Sequence, residues 1–417
     1  MSDLFPEQRL KYAATINDES LSESTDSEFD LAYIDIGNVD SQGQIHNIVN
    51  YRFEDAPSRA RRIVRDGDVI ISTVRTYLQA IAPVENPQYN LIVSTGFAVI
   101  RPSQVLEHRF CKYALRANRF LWEVESRSTG VSYPAINASD LADIKVYLPE
   151  VGVQRQIANY LDRETARIDQ LIAEKERMLA LLNEKHSALI SRVVTRGLDP
   201  NAPLKPSGLE WLGEIPAHWE IPRAKGLFRE VDIRTDTGEE TLLSLRMGKG
   251  LVPHEEVSDK RLEASDVTGF KKIEPGQMVI NRMRAASGLI AVATESGLVS
   301  PDYSVFEVVD HELSIEYFLE LFKTTLLQAV FRSSSKGLGT GEQGFLRLYT
   351  DSFLSIHFPY PPVHEQQAIA AFIQKERTEM LQMESLLIRS IELAKERRAA
   401  LITAAVTSQI AMEDMDK

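Results

Sequence analysis

VQRQIANYLDRETARIDQLIAEKERMLALLNEKHSALISRVVTR, residues 153–196, contains neither glycine nor proline in 44 positions. Its apolar residues Ile157, Leu161, Ile168, Leu171, Ile172, Leu179, Leu182 and Leu189 recur at spacings of three, four and seven. That periodicity predicts a single helix, about 66 Å long at about 1.5 Å per residue. Gly197 stands where a helix-ending glycine belongs, and a proline-rich stretch, residues 200–206, follows it. Residues 363–417 again lack both glycine and proline. Aligned without gaps at an offset of 212, residues 144–195 and 356–407 share sixteen identities in 52 positions. The anchors are Pro149/Pro361, Gln154/Gln366, Ile157/Ile369, Glu164/Glu376, Arg177/Arg389 and the final Val194-Thr195/Val406-Thr407. The chain is therefore a duplication of a globule followed by a long helix.

The repeat extends into the globules. GDVIISTVR at 67–75 parallels GQMVINRMR at 276–284, and Val93, Ser94, Phe97 and Val99 parallel Val299, Ser300, Tyr303 and Val305. Short apolar alternations mixed with turn residues and one helical stretch near residues 110–125 read as α/β (α+β) for each globule. The globules have diverged more than the helices, as expected if the helices meet constant partners and the globules different ones. An amphipathic helix of this length is not stable alone in water. Polar residues on the seam, Glu164 and Lys175 in one copy and Glu376 and Ser390 in the other, argue against a parallel zipper. The two helices are expected to pair as an antiparallel coiled coil with a globule at each end; the alternative is that each folds back on its own globule.

At 417 residues the chain is long enough for two or more domains, and 43% hydrophobic with 26% charged residues is an ordinary soluble balance. Residues 1–10 lack the basic and apolar regions of a signal peptide, no stretch reaches the ~20 apolar residues of a membrane span, and a cytoplasmic location is expected. The one cysteine, Cys111, fits a reducing compartment and reads as a small buried helix residue. A net charge of −13 excludes nucleic-acid binding over the whole surface but not on local faces. Basic clusters lie inside the globules: Arg52, Arg59, Arg61, Arg62, Arg65 and Arg75, then residues 101–127, and in the second half Lys260-Arg261, Lys271-Lys272, Arg282 with Arg284, and Arg332 to Lys336.

Catalytic signatures fail on inspection. Asn86-Pro87-Gln88-Tyr89 approaches the Asn-Pro-Pro-Tyr loop of adenine methyltransferases, but Gln88 replaces a proline and no glycine-rich cofactor loop precedes it. GTGEQG at 339–344 matches a dinucleotide fingerprint without the strand-turn-helix setting that would give it meaning, and reads as a flexible loop. Pro301-Asp302 lacks a downstream Glu-x-Lys, there is no phosphate-binding lysine loop, and the eight histidines show no metal-ligand spacing. The residues describe a binder.

Leu148-Pro149, QRQIA at 154–158, LDRETARID at 161–169, LIS at 189–191, TRGLDP at 195–200 and SGLEWLGEIPAHW at 207–219 together closely resemble the specificity subunit of type I restriction-modification systems. The resemblance covers essentially the whole chain. It departs at the start, where nothing before Arg9 matches the Trp211 to Trp219 segment. The resemblance implies a first target-recognition domain at 1–148, a central helix at 149–197, a linker and lead-in at 198–222, a second domain at 223–360 and a C-terminal helix at 361–417. Each domain would read one half of a bipartite double-stranded DNA target, with helix length acting as a ruler. Two modification (methyltransferase) subunits using S-adenosylmethionine would dock on the helices, and two restriction subunits using ATP and Mg would join them; this chain would bind no cofactor or metal and catalyse nothing alone.

Candidate DNA contacts are the six arginines 52 to 75 named above with Tyr77, Arg127 and Tyr133 in the first domain, and Lys249, Lys271, Lys272, Arg282, Arg284, Arg332 and Lys336 in the second. Arginine suits guanine edges and phosphates, but which residues touch bases is not encoded in sequence. Candidate docking residues are Gln154, Arg163, Glu164, Arg167, Glu174, Gln366 and Glu376. A coiled-coil protein scaffold and a divergent self-contained nuclease or methyltransferase are the competing readings.

Overall fold

The computed structural model describes residues 5–258, 263–309, 312–338 and 345–415. Lys260, Arg261 and the 339–344 loop lie outside these. Among the described residues six α-helices are seven residues or longer: α1 (His108–Ala114), α2 (Asn118–Arg127), α3 (Val151–Arg196), α4 (Ile315–Phe322), α5 (Thr325–Ser334) and α6 (Val363–Val406). The two long helices span 46 and 44 residues, the first beginning two positions earlier than its glycine-free run and taking in Gly152. Gly197 ends α3 at φ 76°, and a Cβ there would sit 3.2 Å from the Trp219 ring, so both backbone and space call for glycine.

The chain divides into two compact units, residues 1–177 with 387–417, and residues 178–386. In the first unit, strands Ala14–Ile16, Phe97–Pro102, Val69–Ser72 and Ile81–Pro83 form an antiparallel sheet in that spatial order. A second four-stranded sheet orders Val49–Arg52, Asp30–Ile34, Leu91–Ser94 and Ala60–Ile63, with one parallel pair, Ala32 to Ile34 beside Leu91 to Val93. The two sheets share an apolar layer of Ala32, Ile34, Ile70, Val93, Phe97 and Val99, while α1 and α2 cover the other face of the first sheet with Phe110, Leu115 and Phe120.

The second unit repeats the first sheet strand for strand: Phe228–Glu230, Tyr303–Val308, Met278–Asn281 and Ile290–Val292. α4 and α5 cover it through Phe318, Phe322, Leu327 and Phe331. Its second layer is split into two strand pairs, Leu243–Arg246 with Gly250–Pro253 and Lys271–Ile273 with Gly297–Val299.

Halves of both long helices run through each unit and pair antiparallel there. In the first unit Ile168 and Ile172 of α3 pack on Ile391 and Ala394 of α6, and Arg398 donates to Asp169 at 2.8 Å. In the second, Val193 and Val194 share a core with Ile369 and Ile373, and the Tyr317 hydroxyl donates to the Val194 carbonyl at 2.8 Å. The expected antiparallel pairing is thus observed, and α3 is not confined to the globule it follows. Among the described residues, no helix is long and apolar enough to cross a membrane.

Candidate nucleic-acid interface

The first unit carries a stiff, exposed loop pair. Strand Val69–Ser72 leads into a turn at Thr76–Leu78 whose flanking residues, Arg75 (φ 55°) and Gln79 (φ 50°), are both left-handed. Side chains with a Cβ resist that conformation by about 1–3 kcal/mol each, so the surroundings must hold it. Here they do. The amide of Arg75 donates to the Pro134 carbonyl at 2.7 Å, the Ile136 amide to Thr73 at 2.9 Å, and the Thr76 and Ser128 hydroxyls meet at 2.8 Å. The Arg75 guanidinium lies 4.8 Å from the Tyr133 ring centre. Around this stack Tyr77, Leu78, Val131 and Tyr133 are exposed, with Tyr133 60% accessible. Large side chains grouped in solvent mark a contact surface, and Arg75 and Tyr133, 58 positions apart in sequence, meet there, with exposed Tyr77 on the same turn as Arg75.

The remaining arginines of that unit do not form an open basic stripe. Arg52 pairs with Glu28 at 2.8 Å, Arg65 with Glu19, and Arg127 with Glu123 at 2.7 Å. Arg61 lies over the Phe53 ring at 4.6 Å. Burial holds the Arg62 guanidinium below its ordinary range, and its Nε has no partner among the described residues. Within the 52–75 cluster, Arg52 and Arg65 are thus neutralised by acids distant in sequence, while Arg59 stays exposed.

In the second unit Lys249 is exposed at the tip of a strand pair, between Gly248 and Gly250, both left-handed, and beside exposed Met247. Arg284 is exposed where the chain leaves strand Met278–Asn281. Arg332 and Lys336 are exposed at the end of α5 and the start of strand Lys336–Leu338. Two candidates are corrected. The Lys271 side chain is only 3% accessible and faces Glu230 at 3.5 Å and Asp232 at 3.6 Å, because its strand turns it inward. Arg282 is spent on the carbonyls of Pro301 and Asp302, both at 2.8 Å. Lys272 is half-exposed and pairs with Glu240 at 2.7 Å; that lysine and Thr235 hold the Glu240 carboxyl down to about 2.

Of the helix candidates, Arg163, Glu164 and Arg167 form a surface ladder, with both arginines on the Glu164 carboxylate at 3.1 and 2.8 Å. Glu174 is exposed and accepts from Gln170, and Glu376 is half-buried. Gln154 and Gln366 are corrected: both are wholly buried, and so offer nothing to a docking partner. Each is consumed by backbone groups of its own unit. Gln154 accepts from the Glu107 amide at 2.8 Å and donates to the Pro149 carbonyl at 2.6 Å; Gln366 accepts from the Ser314 amide at 3.0 Å and donates to Pro361 at 2.8 Å. Sequence reasoning passed over Leu78, Met247 and Met283, apolar residues that the turns expose. Cys111 is buried, and burial raises its thiol well above the ordinary range.

Comparison with known proteins agrees with this layout. The family model described as "Type I restriction modification DNA specificity domain" matches residues 41–179. The chain is 23% identical over 293 residues to the type I restriction enzyme MjaVIII specificity subunit of Methanocaldococcus jannaschii, covering 67% of this chain and 66% of that one. It is 26% identical over 162 residues to the putative type I restriction enzyme MjaX specificity subunit of the same organism, and 25% over 136 residues to the HindI specificity subunit of Haemophilus influenzae. The aligned parts span 66%, 36% and 29% of those relatives' lengths, and 67%, 37% and 31% of this chain. A chain from a structure of the type I R-M system, solved in work on its complex assembly and conformational transition, superposes with a TM-score of 0.73 at 20% identity over 98% of both chains. The HsdS subunit from Thermoanaerobacter tengcongensis superposes with a TM-score of 0.51 at 22% identity over 96% of both. The fold is that of these subunits. Residues 41–179 match that family model, the likeness in sequence to a type I specificity subunit extends over 67% of the chain, and the likeness in fold over 98%.

Proposed function

We propose that this chain is the DNA sequence-recognition subunit of a type I restriction-modification enzyme, non-catalytic alone, with each globular domain reading one half of a bipartite target. The observation that carries this is the duplication: one sheet order and one helix plan used twice, beneath exposed loop faces that differ. A reader of a split site needs such an arrangement, with constant spacing and independent recognition. In the first domain Arg75, Tyr77 and Tyr133 supply cation, ring and hydroxyl to base edges or phosphates; in the second, Lys249, Arg284, Arg332 and Lys336 supply cations. The relatives named above are specificity subunits, which supports reading the ladder of half-buried Arg163 and Glu164 with exposed Arg167, and the face around Glu174, as docking surface. Two modification subunits that bind S-adenosylmethionine and methylate adenine would dock there, and two ATP- and Mg-dependent restriction subunits would complete the enzyme. The overall acidity of −13 is compatible with DNA binding because partner subunits can provide backbone contacts, and it predicts weak binding by the chain alone.

The test is methylation mapping of DNA from cells that express this chain with and without its methyltransferase partner. A bipartite adenine-methylated motif present only with both supports the reading. Methylation indifferent to this chain would leave it a scaffold.

A further inference from the structure

The two buried glutamines are the same device built twice. α1 and α4 share no identical residue when aligned from their first positions, and their N-caps differ, Glu107 and Ser314. Yet the carboxamide on the first turn of each long helix bridges the same two points. Its Oε1 accepts the amide of the residue that caps the domain's helix, and its Nε2 donates to the carbonyl of the proline two positions before the long helix. In the first copy it also donates to the Val105 carbonyl at 2.8 Å. Both side chains are fully buried, so water cannot replace these bonds. A carboxylate accepts but does not donate, and a methionine accepts only weakly and donates nothing, so the site demands a carboxamide of this length. The helix interior needs no such group. Its use is to tie the direction in which α3 or α6 leaves to the helix lying on the domain's sheet.

We propose that Gln154 and Gln366 are positioning residues that fix the angle between each domain and the long helix beginning beside it, and thereby the spacer length accepted between half-sites. The inference rests on the bipartite-reader reading above. A domain free to pivot at this joint would still read its half-site but would tolerate a spacer one base pair longer or shorter.

The experiment uses the full chain assembled with its methyltransferase subunits, on duplexes carrying the wild-type half-sites with the native spacer or with one base pair added or removed. Wild type should prefer the native spacer by 100-fold or more. Gln154→Met and Gln366→Met should each reduce that preference to below about tenfold with half-site sequence preference unchanged, and should speed hydrogen exchange at the Glu107 or Ser314 amide respectively. A folded Met variant with faster exchange at that amide and an undiminished spacer preference would overturn the joint while leaving the reader intact. If wild type itself methylates no bipartite target, the reader fails and the spacer claim falls with it. Because the two joints lie in different units, a variant that fails to fold in one leaves the other to decide.

Discussion

The two units share a backbone plan and little else. Both use the same four-stranded antiparallel order, the same pair of covering helices and the same glutamine joint. The first unit's helix layer is mainly aliphatic around Phe110 and Phe120, whereas the second packs a phenylalanine cluster in which Phe306 and Phe353 lie 4.8 Å apart and Phe322 and Phe358 4.9 Å apart. The second sheet is continuous in one and broken into pairs in the other. Hydrophobic cores accept many side-chain solutions at one topology, so cores drift. A buried amide that must find one donor and one acceptor has few alternatives, so the joint recurs. Exposed loops are bound by neither constraint, and there the two units differ most.

The largest expected effect separates the two cores. Phe322→Ala should destabilise the second unit by about 3–5 kcal/mol and Phe110→Ala the first by a similar amount. Domain-resolved chemical denaturation or hydrogen exchange reads this, and equal loss in both units from either change would show that their cores are not separate. Next come the reading faces. Combined Arg75→Ala, Tyr77→Ala and Tyr133→Ala should reduce discrimination in one half-site by about 100-fold, within the ~1–3 kcal/mol expected of a good base contact, and leave the other half-site unchanged. Methylation kinetics on half-site variants checks it; unaltered discrimination would move the contact surface elsewhere.

A smaller effect concerns the paired helices of the second unit. Burial and the nearby Arg377 hold the His186 imidazole below its ordinary value of 6.5, and its Nε2 is buried without a partner among the described residues. The unfolded chain therefore takes up this proton first. The stability associated with neutral His186 is complete above about pH 6.5 and is lost as pH falls below it. His186→Gln should flatten that dependence in thermal melts of the full chain between pH 7.5 and 5.5, and an unchanged slope would assign it to other groups. The smallest effect is expected at Lys249: Lys249→Ala should lower the slope of log affinity against log salt by about one without changing sequence preference. Altered preference would make it a base reader.

The long helices and their antiparallel pairing were legible because periodicity and the absence of glycine and proline are local signals that survive in a single sequence. So was the duplication. The direction of a polar side chain is not such a signal. Gln154 and Gln366 read as surface residues from their type, and only the fold turns them inward toward Glu107 and Ser314. The arginine cluster read as an open basic face because Glu19 and Glu28, which pair with Arg65 and Arg52, lie 46 and 24 positions away in the chain. Lys271 and Arg282 failed for the same reason, their partners being brought in by strand pairing. Conversely, the patch of Arg75 and Tyr133 emerged from two loops that a reading along the chain had nominated separately.

The central claim is that the two domains read independently beneath a common frame. Replacing residues 1–148 with the corresponding domain of a relative of different specificity, and mapping the methylated motif of the assembled enzyme, tests it most directly. The account predicts a motif with one half changed, the other retained and the spacer preserved. A motif altered in both halves would contradict it.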